Sequence, residues 1–253
     1  MYREISFGKY YEVSSFLHKI NSTAKMISII ILLIGALIIN NIYLYILLHL
    51  FLIGIIIYSK VPIKLYYYSI KNVKYLIIFI LIFNILIRRL DIAITLIIIF
   101  KITSLILISS LLTFTTKIKD INEGLEKLLS PLKKIKVPVN DISLIISMAF
   151  RFIPTIFDQA HKILKSQACR GIDFKRGNTK DKIMALSSML IPMFILSYKR
   201  ANAVAETMEV RFYDYTNDKT KYSRSKWQKS DTIVVITTSF MLLLFVVSEV
   251  VFL

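Results

Sequence analysis

IAITLIIIFKITSLILISSLL, running from Ile92 to Leu112, carries a single charge, Lys101. A helix that crosses the hydrocarbon of a bilayer needs about 20 mostly apolar residues, and this stretch supplies them without a break. Working outward, Ile42–Tyr58 and Ile233–Leu253 are runs of comparable length. Met26–Ile39, ended by Asn40 and Asn41, and Tyr75–Ile87, closed by Arg88, Arg89, Leu90 and Asp91, are shorter. Those two reach spanning length only if their helices extend into polar flanks. With 56% hydrophobic residues and a mean hydropathy of +0.64, the chain exceeds the apolar content of soluble domains, about 45–50%. The pattern predicts an all-α integral membrane protein with about five transmembrane helices. Residues 1–112 are expected to form an N-terminal segment and four-helix membrane region, 113–231 a polar helical insert, and 232–253 a C-terminal transmembrane helix.

Charge orients the chain. The formal net charge is +17, and it is segregated. Arg3, Lys9, Lys19 and Lys25 precede the first run, and a polar break over 59–74, with Lys60, Lys64, Lys71 and Lys74, is expected after the second. The 113–231 insert holds 22 Lys and Arg against 12 Asp and Glu. The opposite side receives none after the first run and Arg88 and Arg89 after the third. The positive-inside tendency therefore predicts a cytoplasmic N-terminus, a cytoplasmic 113–231 region and a C-terminus outside. Glu4 and Glu12 interrupt the N-terminus and no apolar stretch precedes residue 26, so no cleavable signal peptide is expected. A single cysteine, Cys169, excludes an internal disulfide framework.

The insert reads as long helices rather than a second globular domain. Over Asn140–Lys165, Ile142, Ile145, Ala149, Phe152, Ile156, Ala160 and Ile163 recur every three or four residues along one face. Asp141 lies in the first turn, where a carboxylate complements the helix dipole. Lys182–Arg211 repeats the plan with Leu186, Leu190, Phe194, Ala201, Ala205 and Met208. Ala201, Ala203 and Ala205 are small enough to admit another helix. Pro154 and Pro192 are expected to bend these helices, and Gly171–Lys180 is a turn-rich connector.

Each helix ends on an arginine: Ala168-Cys169-Arg170-Gly171 and Glu209-Val210-Arg211-Phe212. Two readings compete. Arg170 before Gly171 fits a plain helix stop, with glycine in the left-handed cap position and arginine satisfying the last carbonyls. Alternatively, a planar guanidinium on a stiff rod is a device for gripping acceptors on another subunit. Arg211, with no glycine after it, fits the stop less well. Arg151 reads as an interfacial anchor, and Glu206 and Glu209 as ion-pair partners of Arg200 or Lys199. Lys101 and Glu249 are ionisable groups in apolar runs and so are functional candidates. His18, His49 and His161 are scattered, so no metal site is expected. Trp227 and the tyrosines near span ends fit an interfacial belt.

The sequence contains no G-x-x-x-x-G-K-[ST] loop and no Ser-His-Asp or Cys-His arrangement, so the chain is not expected to be a catalyst. A membrane-embedded enzyme acting on lipid or isoprenoid phosphates would need acidic metal-binding clusters at span ends. A membrane-anchored nucleic-acid binder would use the insert's excess charge, 22 − 12 = +10, but its basic positions are aromatic-poor.

Beyond these readings, several blocks in fixed order resemble a known family. They are Thr115-Thr116, Leu125–Lys133, Ser147–Pro154, Gln167–Asp173 and Tyr198–Tyr213. Together they are similar to the transmembrane T component of energy-coupling-factor (ECF) transporters. Ser15–Lys25 resembles that family's N-terminal segment, with Asn21-Ser22-Thr23 where the family has Asp-Pro-Arg. Cys169 stands in an alanine place, Val210 replaces a small residue and Phe212 stands where glycine is common. The resemblance implies a multi-pass protein of a prokaryotic plasma membrane whose cytoplasmic helices are coupling helices. It implies that the 168–171 and 209–212 ends dock on two ABC-type ATPase subunits, which bind the ATP, so that this chain needs no cofactor. It also implies a separate membrane S component that binds a vitamin or transition-metal ion and is reoriented by ATP hydrolysis. No nucleic-acid partner is expected.

Overall fold

Two asparagines open two membrane helices. The Asn21 side chain accepts from the Thr23 N–H at 3.0 Å and starts α2, Ser22–Ile38; Asn41 accepts from the Tyr43 N–H at 3.0 Å and starts α3, Ile42–Ser59. Each side-chain oxygen takes one of the N–H groups a helix leaves open at its start. A short α1, Phe16–Lys19, precedes them. The computed structural model describes residues 10–84, 92–172, 179–213 and 227–252, and among these there is no strand. They fall into two compact units: Met1–Ile135 with Ser223–Leu253, and Lys136–Tyr222.

The first unit continues with α4 (Ile63–Asn72), α5 (Lys74–Ile82), α6 (Ile92–Thr115), α7 (Ile118–Leu129), a 3-10 turn Ser130–Ile135, and α10 (Lys229–Phe252). Its core shows what solvent it was built for. On α3 the buried stripe is Tyr45, Leu48, Leu52 and Ile56, while the opposite face, Ile46, Leu50, Ile53 and Ile57, is equally apolar and exposed. Such a face would aggregate in water; lipid tails are its natural surroundings. Hydroxyls on these helices turn inward to their own backbone: Thr103 Oγ1 donates to the Ile99 carbonyl at 2.8 Å and Thr115 Oγ1 to that of Leu111 at 2.7 Å.

The C-terminus of α2 is closed by its neighbours. The Tyr45 hydroxyl lies 2.7 Å from the Ala36 carbonyl and 3.1 Å from that of Ile39. Lys101 Nζ donates to the Leu37 carbonyl at 3.1 Å, and Asn40 Nδ2 to the Ile38 carbonyl at 3.1 Å. Carbonyls that helix geometry leaves open are thus satisfied where water is scarce. The charge of Lys101 has a structural use, as a cation at the negative end of a helix dipole.

At the other end of the unit, polar side chains are buried together. Lys25, 4% exposed, donates to the Thr115 carbonyl at 2.9 Å and reaches Thr116 Oγ1 at 3.4 Å, closing α6 as Lys101 closes α2. Tyr11 N–H donates to the Phe114 carbonyl at 3.0 Å. His18 holds that strap: its Nδ1 is 2.7 Å from the Ser15 hydroxyl and its Nε2 is 3.0 Å from the Tyr11 carbonyl. Burial lowers the His18 pKa, so the neutral ring, donating from Nε2 and accepting at Nδ1, suits both contacts. Asp231, 1% exposed, accepts from the Asn21 N–H at 2.9 Å and from the Gln228 N–H at 2.7 Å. The second bond is half of a capping box at the start of α10; the first ties that start to α2.

Three sequence expectations differ from the structure. The polar break expected over 59–74 is largely α4, because Tyr66 and its neighbours give it an inward face. Tyr66 is buried edge-on against Phe114, ring centres 5.1 Å apart. The third apolar run begins as α5 and meets α4 at a 48° bend; its end and the Arg88-Arg89 closure lie outside the described residues. α2 has 17 residues, about 26 Å at 1.5 Å per residue, short of a full hydrocarbon thickness.

The second unit is a pair of long helices, α8 (Val139–Cys169) and α9 (Thr179–Val210). Each continues as one helix through its proline, Pro154 or Pro192. They pack against each other, and Gln167 Nε2 of α8 donates to the Ser188 carbonyl of α9 at 3.2 Å. Among the described residues, α3, α6, α8, α9 and α10 are the five helices long and apolar enough to cross a membrane; the bent α4–α5 pair would make a sixth. The chain is therefore an all-α membrane protein. That set holds α8 and α9 in place of Met26–Ile39 and Tyr75–Ile87. Length and apolar content do not separate a span from an amphipathic rod of equal length. α8 carries Asp141, Arg151, Asp158, Lys162 and Lys165 along its course.

The packing of the first unit yields a test. A Cβ on Gly124 of α7 would meet Met26 Sδ at 2.7 Å and the Ser22 backbone carbon at 3.2 Å, whereas Gly54 of α3 faces open space. Gly124→Val should cost about 1–3 kcal/mol by overpacking, with Gly54→Val nearly neutral, as read by thermal unfolding in detergent.

Candidate docking site at two helix ends

α8 and α9 end in the same turn. At the first, the Ile172 N–H donates to the Gln167 carbonyl at 3.1 Å and the Gly171 N–H to that of Ala168 at 3.0 Å, with Gly171 at φ +87°. At the second, the Tyr213 N–H donates to the Met208 carbonyl at 3.0 Å and the Phe212 N–H to that of Glu209 at 2.9 Å, with Phe212 at φ +51°. Both are Schellman closures, in which backbone N–H groups beyond the helix take up its last carbonyls. Arg170 and Arg211 occupy the same position, the cap residue just before the left-handed one.

That geometry bears on the competing readings. Gly171 is a helix stop, as the plain reading expects, and so, without glycine, is Phe212. Because backbone N–H groups close both helices, neither arginine is spent on carbonyls. Neither side chain makes a hydrogen bond or ion pair to any described residue, and both residues are exposed. Ala168, Cys169, Gly171, Glu209, Val210 and Phe212 are exposed as well. Each helix therefore presents an unpaired, permanently charged fork from a rigid end. The sequence did not single out Gln167, which accepts the outer closure bond of α8 and, through its buried side chain, joins α8 to α9.

Other candidates settle differently. Arg200 pairs with neither Glu206 nor Glu209, because six and nine residues of separation miss the three-or-four spacing of helix neighbours. Its guanidinium lies 5.8 Å from the Phe152 ring, bordering a cavity of about 340 Å³ between α8 and α9 lined mainly by apolar side chains such as Met148, Ile156 and Met208. Glu249 sits in α10 with one carboxylate oxygen enclosed and no partner in hydrogen-bond reach. Among the described residues, no three His, Cys, Asp or Glu come together.

Fold and site together define a multi-helix membrane protein with an exposed arginine at each of two helix ends. The Cobalt transport protein family model, CbiQ, matches residues 13–222. The energy-coupling factor transporter transmembrane protein EcfT of Bacillus subtilis is 34% identical over 245 residues, 91% of this chain and 92% of that protein. Its counterpart in Ruminiclostridium cellulolyticum is 34% identical over 258 residues, 95% of this chain and 96% of that protein; that of Limosilactobacillus fermentum is 31% identical over 265, 99% of each. The chain belongs to this family, the transmembrane components of energy-coupling factor transporters, and is a transport subunit rather than a catalyst.

The caps yield a prediction with opposite signs. A left-handed conformation costs a residue with a Cβ about 1–2 kcal/mol. Gly171→Ala should lower the thermal midpoint of the purified chain, whereas Phe212→Gly should raise its stability by up to about 1 kcal/mol.

Proposed function

We propose that this chain is the coupling scaffold of an ECF-type ABC importer. The 168–171 and 209–212 ends of α8 and α9 dock on two ABC-type ATPase subunits, with Arg170 and Arg211 as the principal grips. The ATPases bind and hydrolyse ATP; this chain holds no nucleotide or other cofactor. A membrane S component captures a vitamin or transition-metal ion, and movement passed along α8 and α9 reorients it for uptake. The N-terminus and the 113–231 region face the cytoplasm of a prokaryotic cell, as the basic residues of that region favour.

One observation supports this reading above the rest: two long helices end in the same self-closed turn, each leaving its arginine unpaired and exposed. A partner that moves can pull only on something stiff, and a continuous helix more than 30 residues long is a lever. The family membership supports the same role, since the relatives are named as parts of a transporter.

The test is copurification and uptake with alanine at each arginine. Truncating one partner of a desolvated charge pair costs about 2–5 kcal/mol, so Arg170→Ala or Arg211→Ala alone should weaken ATPase retention, and both together should abolish it along with uptake. Full retention of the ATPases by the double variant would refute the proposal.

A further inference from the structure

The helix ends share their hydrogen bonds and differ in what surrounds the arginine. At α8 it stands between Cys169 and Gly171, a small side chain and none. At α9 it stands between Val210, 78% exposed, and Phe212, 93% exposed. Phe212 also holds φ +51°, a region that glycine enters freely and a phenyl-bearing residue does not. Lys60 and Lys136 adopt positive φ too, at 56° and 62°, but their side chains are charged and at home in water. Phe212 combines an unfavourable backbone with an aromatic ring left almost wholly uncovered, and no described residue of its own unit covers it. The Schellman closure accounts for the left-handed turn, but local stability does not account for a phenylalanine in place of glycine there, nor for its uncovered ring. Backbone outliers that the surrounding fold does not reward cluster where a chain meets its ligand or partner.

We infer that Phe212 is an apolar anchor: it seats in a hydrophobic socket beside the arginine-binding groove of the ATPase subunit engaged by α9. This rests on the docking role proposed above. Arginine and aromatic residues side by side are the composition of interface hot spots, where the ring excludes water from the charge pair next to it. The left-handed turn is what aims the ring, because the same residue in helical conformation would continue along the rod. The α8 end has no such ring, so the two ends are not interchangeable. The groove that takes α9 has a socket, and the groove that takes α8 lets a bare glycine turn approach closely.

The experiment uses the assembled complex in nanodiscs. Phe212→Gly keeps the turn, so its effect reads recognition and not folding. It should weaken ATPase-subunit binding about tenfold or more, with Phe212→Leu retaining part of the affinity. If Phe212→Gly binds as tightly as wild type while Arg170→Ala and Arg211→Ala weaken binding, the anchor is wrong and docking stands. If all three are neutral, both fall. A second readout places tryptophan at the site in a Trp227→Phe background. Phe212→Trp emission should report water in the nanodisc alone and shift to the blue when ATPase subunits are added. A blue-shifted emission before they are added would put the ring in lipid and overturn the inference.

Discussion

Everything in this molecule turns on how its helices finish. A helix leaves its last carbonyls open, and in a bilayer water is not at hand to take them. The first unit solves this with side chains from neighbouring elements: Tyr45 and Lys101 on α2, Lys25 on α6. Each closure is also a tertiary tie, so finishing the helix and fixing its neighbour are one event. The second unit solves it with its own backbone, and that leaves two arginines over. The same physical demand, met in two ways, turns Lys25 and Lys101 onto helix-end carbonyls and leaves Arg170 and Arg211 exposed.

Burial of charge in the first unit is workable because it is shared. Lys25 is nearly inaccessible, yet it holds a helix-end carbonyl and lies within the influence of Asp120 and Asp231. Asp231 in turn takes two backbone N–H groups, from Asn21 and Gln228. This cluster joins the starts of α2 and α10 and the end of α6, elements far apart in the chain. α2 and α10 then run together closely enough that a Cβ on Gly35 would touch Phe245 at 3.5 Å. Oxygen and nitrogen fix the register, and apolar packing supplies the bulk of the contact.

Much of the fold was legible from residues alone. Ile92–Leu112 could be nothing but a long apolar helix, and the arginine-ended helices of the insert announced themselves by their three-or-four spacing. What was not legible depended on partners distant in sequence. Lys101 read as a functional charge in hydrocarbon because nothing local reveals that a carbonyl of residue 37 lies above it. α4 read as a polar loop because its lysines outweigh one buried face, and Tyr66 earns its place only once Phe114 is beside it. Asp231 read as the last residue of the polar insert rather than a buried tie. At the candidate site the positions were legible and the conformation was not: without a glycine, the sequence gives no sign that Phe212 repeats the turn of Gly171.

Nature has left a probe at the point of interest. Cys169 is the single cysteine of the chain, is exposed, and precedes Arg170. Its accessibility to a bulky maleimide, in the isolated chain and with the proposed ATPase subunits added, measures directly whether the α8 end is gripped. The account predicts rapid labelling alone and strong protection once the subunits are bound. Equal labelling rates in the two states would contradict it.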